Sequence, residues 1–247
     1  MVAGTMRALL LVAFTLLLSS DELIIRADGW DYGHATYYGG SDASGTNNGA
    51  CGYSNVFALG YGTLTAALSA PLFQDGRSCG ACYQIMCSGD SACYRNSIVV
   101  TATNLCPQGS YGGWCDYPKA HFDLSQPAFS QIAAPVAGHV TLMYQRVTCS
   151  RNGGIKFNIQ GHTYFMQVLV YNVGGMGDVH QVAIKGSRSN YWIYLMRGWG
   201  QNWSTGAVLD GQALSIAVTT SDGRTVTSNY VAGQYWQYGQ TFQGAQF

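Results

Sequence analysis

All eight cysteines of this 247-residue chain fall between Cys51 and Cys149, and the 98 residues that follow hold none. An even number of cysteines confined to one stretch points to covalent cross-links there, and to a second stretch that must fold on packing alone. The chain therefore divides near residue 150. The spacing of Cys79, Cys82, Cys87 and Cys93 also admits a zinc knuckle, and Cys79-Gly-Ala-Cys82 a redox motif. Disulfides take precedence because the amino-terminal segment reads as an export signal. Eight cysteines allow about 100 pairings, so spacing alone selects none.

That segment places Arg7 before the apolar run Ala8 to Leu18, followed by Ser19 and Ser20. The order charged, apolar, polar is that of a secretory signal peptide. Residues 1–27 are read as the signal, cut after Ala27, with a cut near Ser20 as the alternative. The run is too short to span a bilayer, and no later stretch approaches the ~20 apolar residues a membrane helix needs. Removing residues 1–27 removes Glu22, the only glutamate. Carboxylate chemistry then rests on ten aspartates, at 28, 31, 42, 75, 90, 116, 123, 178, 210 and 222. The 12 basic and 12 acidic residues cancel, and 6 Trp, 17 Tyr and 9 Phe outnumber them. A chain without a basic field is a poor nucleic-acid binder, and 47% hydrophobic residues exclude disorder.

Residues 28–150 carry short β-type runs, among them Ser97 to Thr103 and Val140 to Val147, with Gln126 to Ala134 long enough for one or two helical turns. From Lys156 onward the pattern has period two. Phe157 and Ile159 alternate with polar residues, as do Leu214, Ile216 and Val218. Ser221-Asp-Gly-Arg224 marks a hairpin, since Asp-Gly accepts the positive φ of tight primed turns. Residues 155–247 are thus expected to form a β-sandwich, with a hinge near Ser150 to Gly154.

Seven motifs carry a resemblance that covers nearly the whole mature chain: His34-Ala-Thr-Tyr-Tyr-Gly-Gly40, Gly49-Ala-Cys-Gly-Tyr53, Thr101-Ala-Thr-Asn104, His121-Phe-Asp-Leu-Ser-Gln-Pro-Ala-Phe129, Gly174-Gly-Met-Gly-Asp178, Trp199-Gly-Gln-Asn-Trp203 and Gly239-Gln-Thr-Phe242. In this order the chain resembles the plant α-expansins. The resemblance implies a six-stranded double-psi β-barrel, similar to that of family 45 glycoside hydrolases, followed by an immunoglobulin-like β-sandwich that binds polysaccharide. It also implies wall loosening without appreciable hydrolysis, greater in acid. Ser54 and Gly198 depart from the usual pattern, where Gly and Asn are common. The resemblance further implies the pairs Cys51–Cys79, Cys82–Cys149 and Cys87–Cys93, which leaves Cys106 with Cys115.

Inverting hydrolysis of a glycoside needs a carboxylic acid for the leaving oxygen and a second carboxylate ~6.5–9.5 Å away to activate water. By resemblance Asp123, in His121-Phe-Asp123, matches the acid. The base of the related hydrolases lies in a Thr-x-Tyr-x-Asp motif that here runs from Thr36 to Gly40, so the base position is glycine. Asp42 is a poorly positioned substitute on a flexible loop. The plainer alternatives are that Asp123 bonds backbone amides near a turn and that His121 is a structural histidine.

An uncharged glucan offers hydroxyls and apolar ring faces, so aromatic platforms with polar rims should recognise it. Thr36, Tyr38, His121 and Asp123 are expected to line a groove on the first domain. On the second, the resemblance favours Trp199 with Tyr164 and Phe165, and Trp192 and Trp203 are further candidates. Strand alternation predicts that only one of Tyr164 and Phe165 is exposed, and Trp236 is assigned to the core. The leading reading is a secreted, monomeric wall protein that disrupts noncovalent contacts between cellulose and xyloglucan-type glucans. An endoglucanase with a displaced base and a passive cellulose-binding or defence-related protein are the alternatives. No cofactor is indicated, and His34, His121, His139, His162 and His180 lack metal-type spacing. Asn202-Trp-Ser204 is the only glycosylation sequon, and its place inside a binding motif predicts that Asn202 stays unmodified.

Overall fold

The computed structural model describes residues 29–109 and 112–247, so the expected signal peptide lies outside the described residues. Strands β1 (Asp31–Tyr38), β2 (Thr65–Leu68), β3 (Cys82–Cys87), β4 (Ser97–Leu105), β5 (His121–Ser125) and β6 (Val140–Val147) close a barrel in the order β1-β5-β2-β4-β3-β6. β1 lies parallel to β5 and β2 parallel to β4, while the other neighbours run antiparallel. Each parallel pair requires a long crossover; that from β2 to β4 holds the short helix α1 (Ala70–Phe73), and a second helix, α2 (Gln126–Ile132), joins β5 to β6. α2 starts where Ser125 Oγ accepts the Ala128 N–H and Pro127 fills the first turn. Its Ala128, Phe129 and Ile132 are buried with Phe122 and Leu124 of β5.

Strands β7 (Lys156–His162), β8 (Phe165–Tyr171), β9 (Gln181–Gly186), β10 (Ile193–Tyr194), β11 (Met196–Trp199), β12 (Asn202–Thr205), β13 (Leu214–Thr219), β14 (Thr225–Ala232) and β15 (Thr241–Gln243) form two sheets. A four-stranded sheet has the order β10-β9-β13-β14 and a five-stranded one β11-β12-β8-β7-β15. Period two decides what lies between them. Phe157, Ile159, Met166, Val168, Ile184, Ile216 and Val218 all turn inward and are fully buried. The β13–β14 hairpin is present, but its turn is not the expected primed one. Only Gly223 has a positive φ, at 82°, and Asp222 instead accepts from Thr220 Oγ1 and the Arg224 N–H. This is a three-residue loop ending in a left-handed glycine.

The four disulfides are Cys51–Cys79, Cys82–Cys149, Cys87–Cys93 and Cys106–Cys115, the set that the resemblance implied. Cys82–Cys149 closes 67 residues, a loop worth about 4 kcal/mol of unfolded-chain entropy.

The expected hinge is not free. The Cys149 N–H donates to Gly175 O at 2.6 Å, Asn172 Nδ2 bonds the carbonyls of Asn152 and Gly154, and the Ile155 N–H reaches Ala245 O. Barrel and sandwich also meet backbone to backbone. The Gln201 N–H donates to Cys51 O and its side chain to Cys79 O, both at 2.9 Å. Arg146 bonds Met176 O at 2.7 Å and pairs with Asp178 at 3.2 Å. Leu169 and Tyr171 of β8 belong to the barrel's core cluster. Gly80 and Gly177 both have positive φ, and a Cβ on Gly80 would lie 2.5 Å from Gly177 O. Among the described residues no helix is long and apolar enough to cross a membrane.

Candidate functional site

The parallel register of β1 and β5 places His34 beside His121 and Thr36 beside Asp123. Side chains alternate, so Ala35, Phe122 and Leu124 enter the core while these four residues share the opposite face. Thr36 Oγ1 donates to Asp123 Oδ1 at 2.7 Å and contacts His121 Nε2 at 2.9 Å. A hydroxyl has one hydrogen. With that hydrogen directed to the carboxylate, the proton between Thr36 and His121 must come from Nε2. His121 is therefore the neutral Nε2–H tautomer. Its Nδ1 is buried and has no hydrogen-bond partner among the described residues, so a proton there would be an orphaned donor. Oδ1 is thus held as an acceptor, and an acid proton on Asp123 belongs on Oδ2.

Electrostatics agree. Burial lowers the His121 pKa to about 4, helped by the charges of His34 and Lys119. His121 is neutral throughout the ordinary range and supplies no cation to keep Asp123 ionised. Burial raises the Asp123 pKa, opposed only in part by the Thr36 hydrogen bond. Tyr38, on the same strand, has its phenol pushed up by burial, with the side chain of Asn104 opposing and the charge of Asp123 adding. Trp114 sits over this group, its ring centroid 4.6 Å from that of His34, 5.9 Å from His121 and 5.4 Å from His139, with Lys119 Nζ 5.5 Å away. Asp42 lies apart. Its Oδ1 accepts the Ser44 N–H, which together with the Ser44 side chain holds its pKa down, and it faces a different cavity lined by Phe57 and Thr63. Gly40 is packed against the same turn, and a Cβ there would lie 2.5 Å from Ser44 Oγ.

A cleft of about 480 Å3 opens where barrel and sandwich meet. The barrel contributes Asn48, Gly52 and Tyr53, and the outer face of the five-stranded sheet contributes Gln160, Gln167 and Trp199. A half-exposed indole above a floor of amides suits a neutral, hydroxylated ligand. Residues 155–233 match the family Expansin C-terminal domain, and residues 65–144 match the family named Lytic transglycolase. Expansin-A23 of Arabidopsis thaliana is 48% identical over 219 residues, 87% of this chain and 79% of that protein. Expansin-A12 of the same plant is 44% identical over 98% of this chain and 99% of its own length. The chain belongs to the plant expansin-A family. The fold agrees with that of the expansin from Clavibacter michiganensis, which superposes with a TM-score of 0.68 at 21% identity over 88% of this chain and 96% of the bacterial one. A mutant of that protein has been crystallised in complex with cellohexaose.

In this expansin the five aromatic residues expected on the second domain do not share one surface. Trp199 is 55% exposed and faces the cleft. Phe165 lies two residues before Gln167 on β8 and so shares its face, whereas Tyr164 occupies the turn before β8. Both are exposed, contrary to the alternation argument, because a turn residue escapes the pleat. Trp192 precedes β10 and lines the outer face of the far, four-stranded sheet. The assignment of Trp203 to the binding surface is corrected. It is 2% exposed, in the sandwich core, where its Nε1 donates to Gln201 Oε1 and Arg197 lies 4.3 Å over its ring. Strand β12 alternates, so Asn202 faces the barrel and Trp203 points inward. Trp236 is buried and bonds Gln212 O. Among the described residues no group of three or more His, Cys, Asp or Glu is placed to hold a metal ion.

Sequence reasoning missed Trp114, Lys119 and the role of His34. Only the β1–β5 register brings His34 to His121, and residue 114 lies in a loop with no periodic signal. It also missed the cleft amides, although Asn158 and Gln160 are the polar halves of the alternation that revealed Phe157 and Ile159.

Proposed function

We propose that this expansin is secreted to the cell wall, binds cellulose and xyloglucan-type glucans as a monomer, and loosens their contacts without cleaving them. The observation that carries this reading is the Thr36–Asp123 hydrogen bond, together with glycine at residue 40, where the related motif has its base. An acid whose proton lies on Oδ2, the oxygen that Thr36 leaves unoccupied, can donate to a glucan oxygen, but glycine at residue 40 has no carboxylate to activate water. Asp42 is engaged in its own turn and is a poor replacement for that base. The acid of the groove and Trp199 of the cleft hold the glucan, with Tyr38 and Phe165 as further contacts. The bacterial expansin's complex with cellohexaose supports cellulose as a ligand. No metal or cofactor takes part in this reading.

The test pairs two assays on one preparation. Extension of a clamped, heat-inactivated wall strip is measured beside release of reducing ends from cellulose and xyloglucan. Extension without new reducing ends is expected. Sustained turnover on soluble glucan that Asp123→Asn abolishes would instead make the protein an endoglucanase. Gly40→Asp is a poor restoration by itself, since its Cβ would meet Ser44 Oγ, so it should be combined with Ser44→Gly.

A further inference from the structure

The four-stranded sheet carries a second, chemically distinct surface on the side away from the cleft. Alternation sends Val182, Ile184, Ile216 and Val218 into the sandwich core and turns Gln181, Ala183, Ala217 and Thr219 outward. Register sets these outward residues in rows across the sheet. Tyr194 pairs with Ala183, Ala183 with Ala217, and Ala217 with Thr227. In the next row Gln181 pairs with Thr219 and Thr219 with Thr225. The two central strands thus contribute only methyl groups to the first row. The result is a trough of about 240 Å3, its floor two strands or about 10 Å broad.

The two walls differ. On one side stand Tyr194, 64% exposed, and Trp192, whose indole is fixed by Lys185 Nζ at 4.9 Å from the ring centroid. On the other stand the hydroxyls of Thr225 and Thr227, with Thr219 and Thr225 bonded to each other at 2.8 Å. Among the described residues no carboxylate or guanidinium lines the trough, and the nearby ammonium of Lys185 is already engaged with the Trp192 ring. A charged ligand would find no counter-charge, and a purely apolar one would leave the threonine and glutamine rim unpaired. A neutral chain of pyranose rings satisfies both, with its C–H faces on Tyr194 and its hydroxyls toward Thr227 and Gln181.

We propose that this trough is a second glucan-binding surface, back to back with the Trp199 cleft, so that one molecule holds two glucan chains on opposite faces of its sandwich. The proposal rests on the reading that the Trp199 face binds glucan, and each indole reports its own face. The probe is cellohexaose, titrated into the full mature chain while the indole N–H resonances of Trp192 and Trp199 are followed by NMR. Both signals should move, the Trp192 signal with a Kd on the order of 1 mM. That shift should persist at high salt, because the ligand is neutral. Tyr194→Ala should abolish the Trp192 shift and leave the Trp199 shift and the melting temperature unchanged, since Tyr194 is a surface residue. If Trp199 responds and Trp192 stays fixed to saturation, the second surface is refuted and the first stands. If Trp192 responds alone, the cleft reading fails and the trough is the glucan site. As a functional check, protein bound to cellulose should retain soluble labelled xyloglucan, and Tyr194→Ala should lower that retention at least about fivefold.

Discussion

Gly200 offers the sharpest test of how barrel and sandwich are held together. It turns the chain between β11 and β12 at φ 53°, and a Cβ there would lie 2.4 Å from both C and O of Cys51. Ala in a left-handed conformation costs about 1–2 kcal/mol, and forcing a methyl group into a packed contact costs about 1–3 kcal/mol. Should the hairpin retreat, the two Gln201 hydrogen bonds to Cys51 O and Cys79 O are lost, at about 1 kcal/mol each. Retreat relieves the steric clash, so the costs do not all add, and the expected loss is about 3–5 kcal/mol. At roughly 3 °C per kcal/mol for a chain of this size, the melting temperature should fall by about 10 °C. Gly198 is the control within the same hairpin. A Cβ there meets only Asn202 O, at 3.5 Å, so Gly198→Ala and Gly198→Asn should lie within about 0.5 kcal/mol of the parent. Thermal unfolding followed by near-UV circular dichroism reads both, and a cellulose pull-down should weaken for Gly200→Ala because Trp199 moves with the hairpin. Equal melting temperatures for the two alanine variants would refute the claim that the junction is a close-packed, specific contact.

Wall extension should fall as pH rises through the folded pKa of Asp123, which burial raises. The sign follows because the protonated acid is the donor, and Asp123→Asn should flatten that part of the profile. Wild-type acid dependence in Asp123→Asn would assign the switch elsewhere. Thr36→Val removes the hydrogen bond that opposes the rise, so the acid-active range should extend toward neutrality, read from strip extension against pH. Trp199→Ala should weaken cellulose binding with an unchanged melting temperature, whereas Trp203→Ala should cost about 3–5 kcal/mol in unfolding experiments, because only the second indole is in the core. Asn202 should carry no glycan by mass spectrometry of wall-extracted protein. Its side chain is 5% exposed, accepts from Gln167, and has its Nδ2 against Gly52, leaving no path for a sugar in the folded chain.

Local signals carried the fold well where period and punctuation agree. Val140 to Val147 form β6 with the expected bounds, and the run from Gln126 holds α2. Alternation at Phe157, Ile159 and Leu214 to Val218 named the inner face of the sandwich. It could not say which outer face meets the barrel, because that depends on backbone contacts between residues as distant as Cys51 and Gln201. For the same reason Trp192 stood in sequence as a further candidate for the surface of Trp199, yet Trp199 is on β11 and Trp192 lines the outer face of the other sheet. The candidate acid was found through its motif, but the locked hydrogen on Thr36 and the neutral state of His121 are properties of a register between residues 85 apart. The Arg-Asn-Gly-Gly run near residue 150 suggested freedom. Its carbonyls are instead fixed by Asn172, whose position in the sequence gives no hint of it.

The β1–β5 pairing also divides the chain into parts that tolerate change and parts that do not. A deletion of one residue within Asp31–Tyr38 would exchange the two faces of the strand, bringing Ala35 and Tyr37 to the groove and sending Thr36 inward. The connection closed by Cys106–Cys115 faces no such parity constraint, since adding residues to a surface loop costs little chain entropy, whereas residues 39–64 carry the buried Cys51, Tyr53 and Val56 and the contact with Gln201. Length variation there would move Trp114, which packs on His34 and His121, without disturbing the bond of Asp123 to Thr36. For a designer seeking a loosening protein with altered polymer preference, the insertion site is therefore that one loop, and the strand pair is the fixed reference from which its reach is measured.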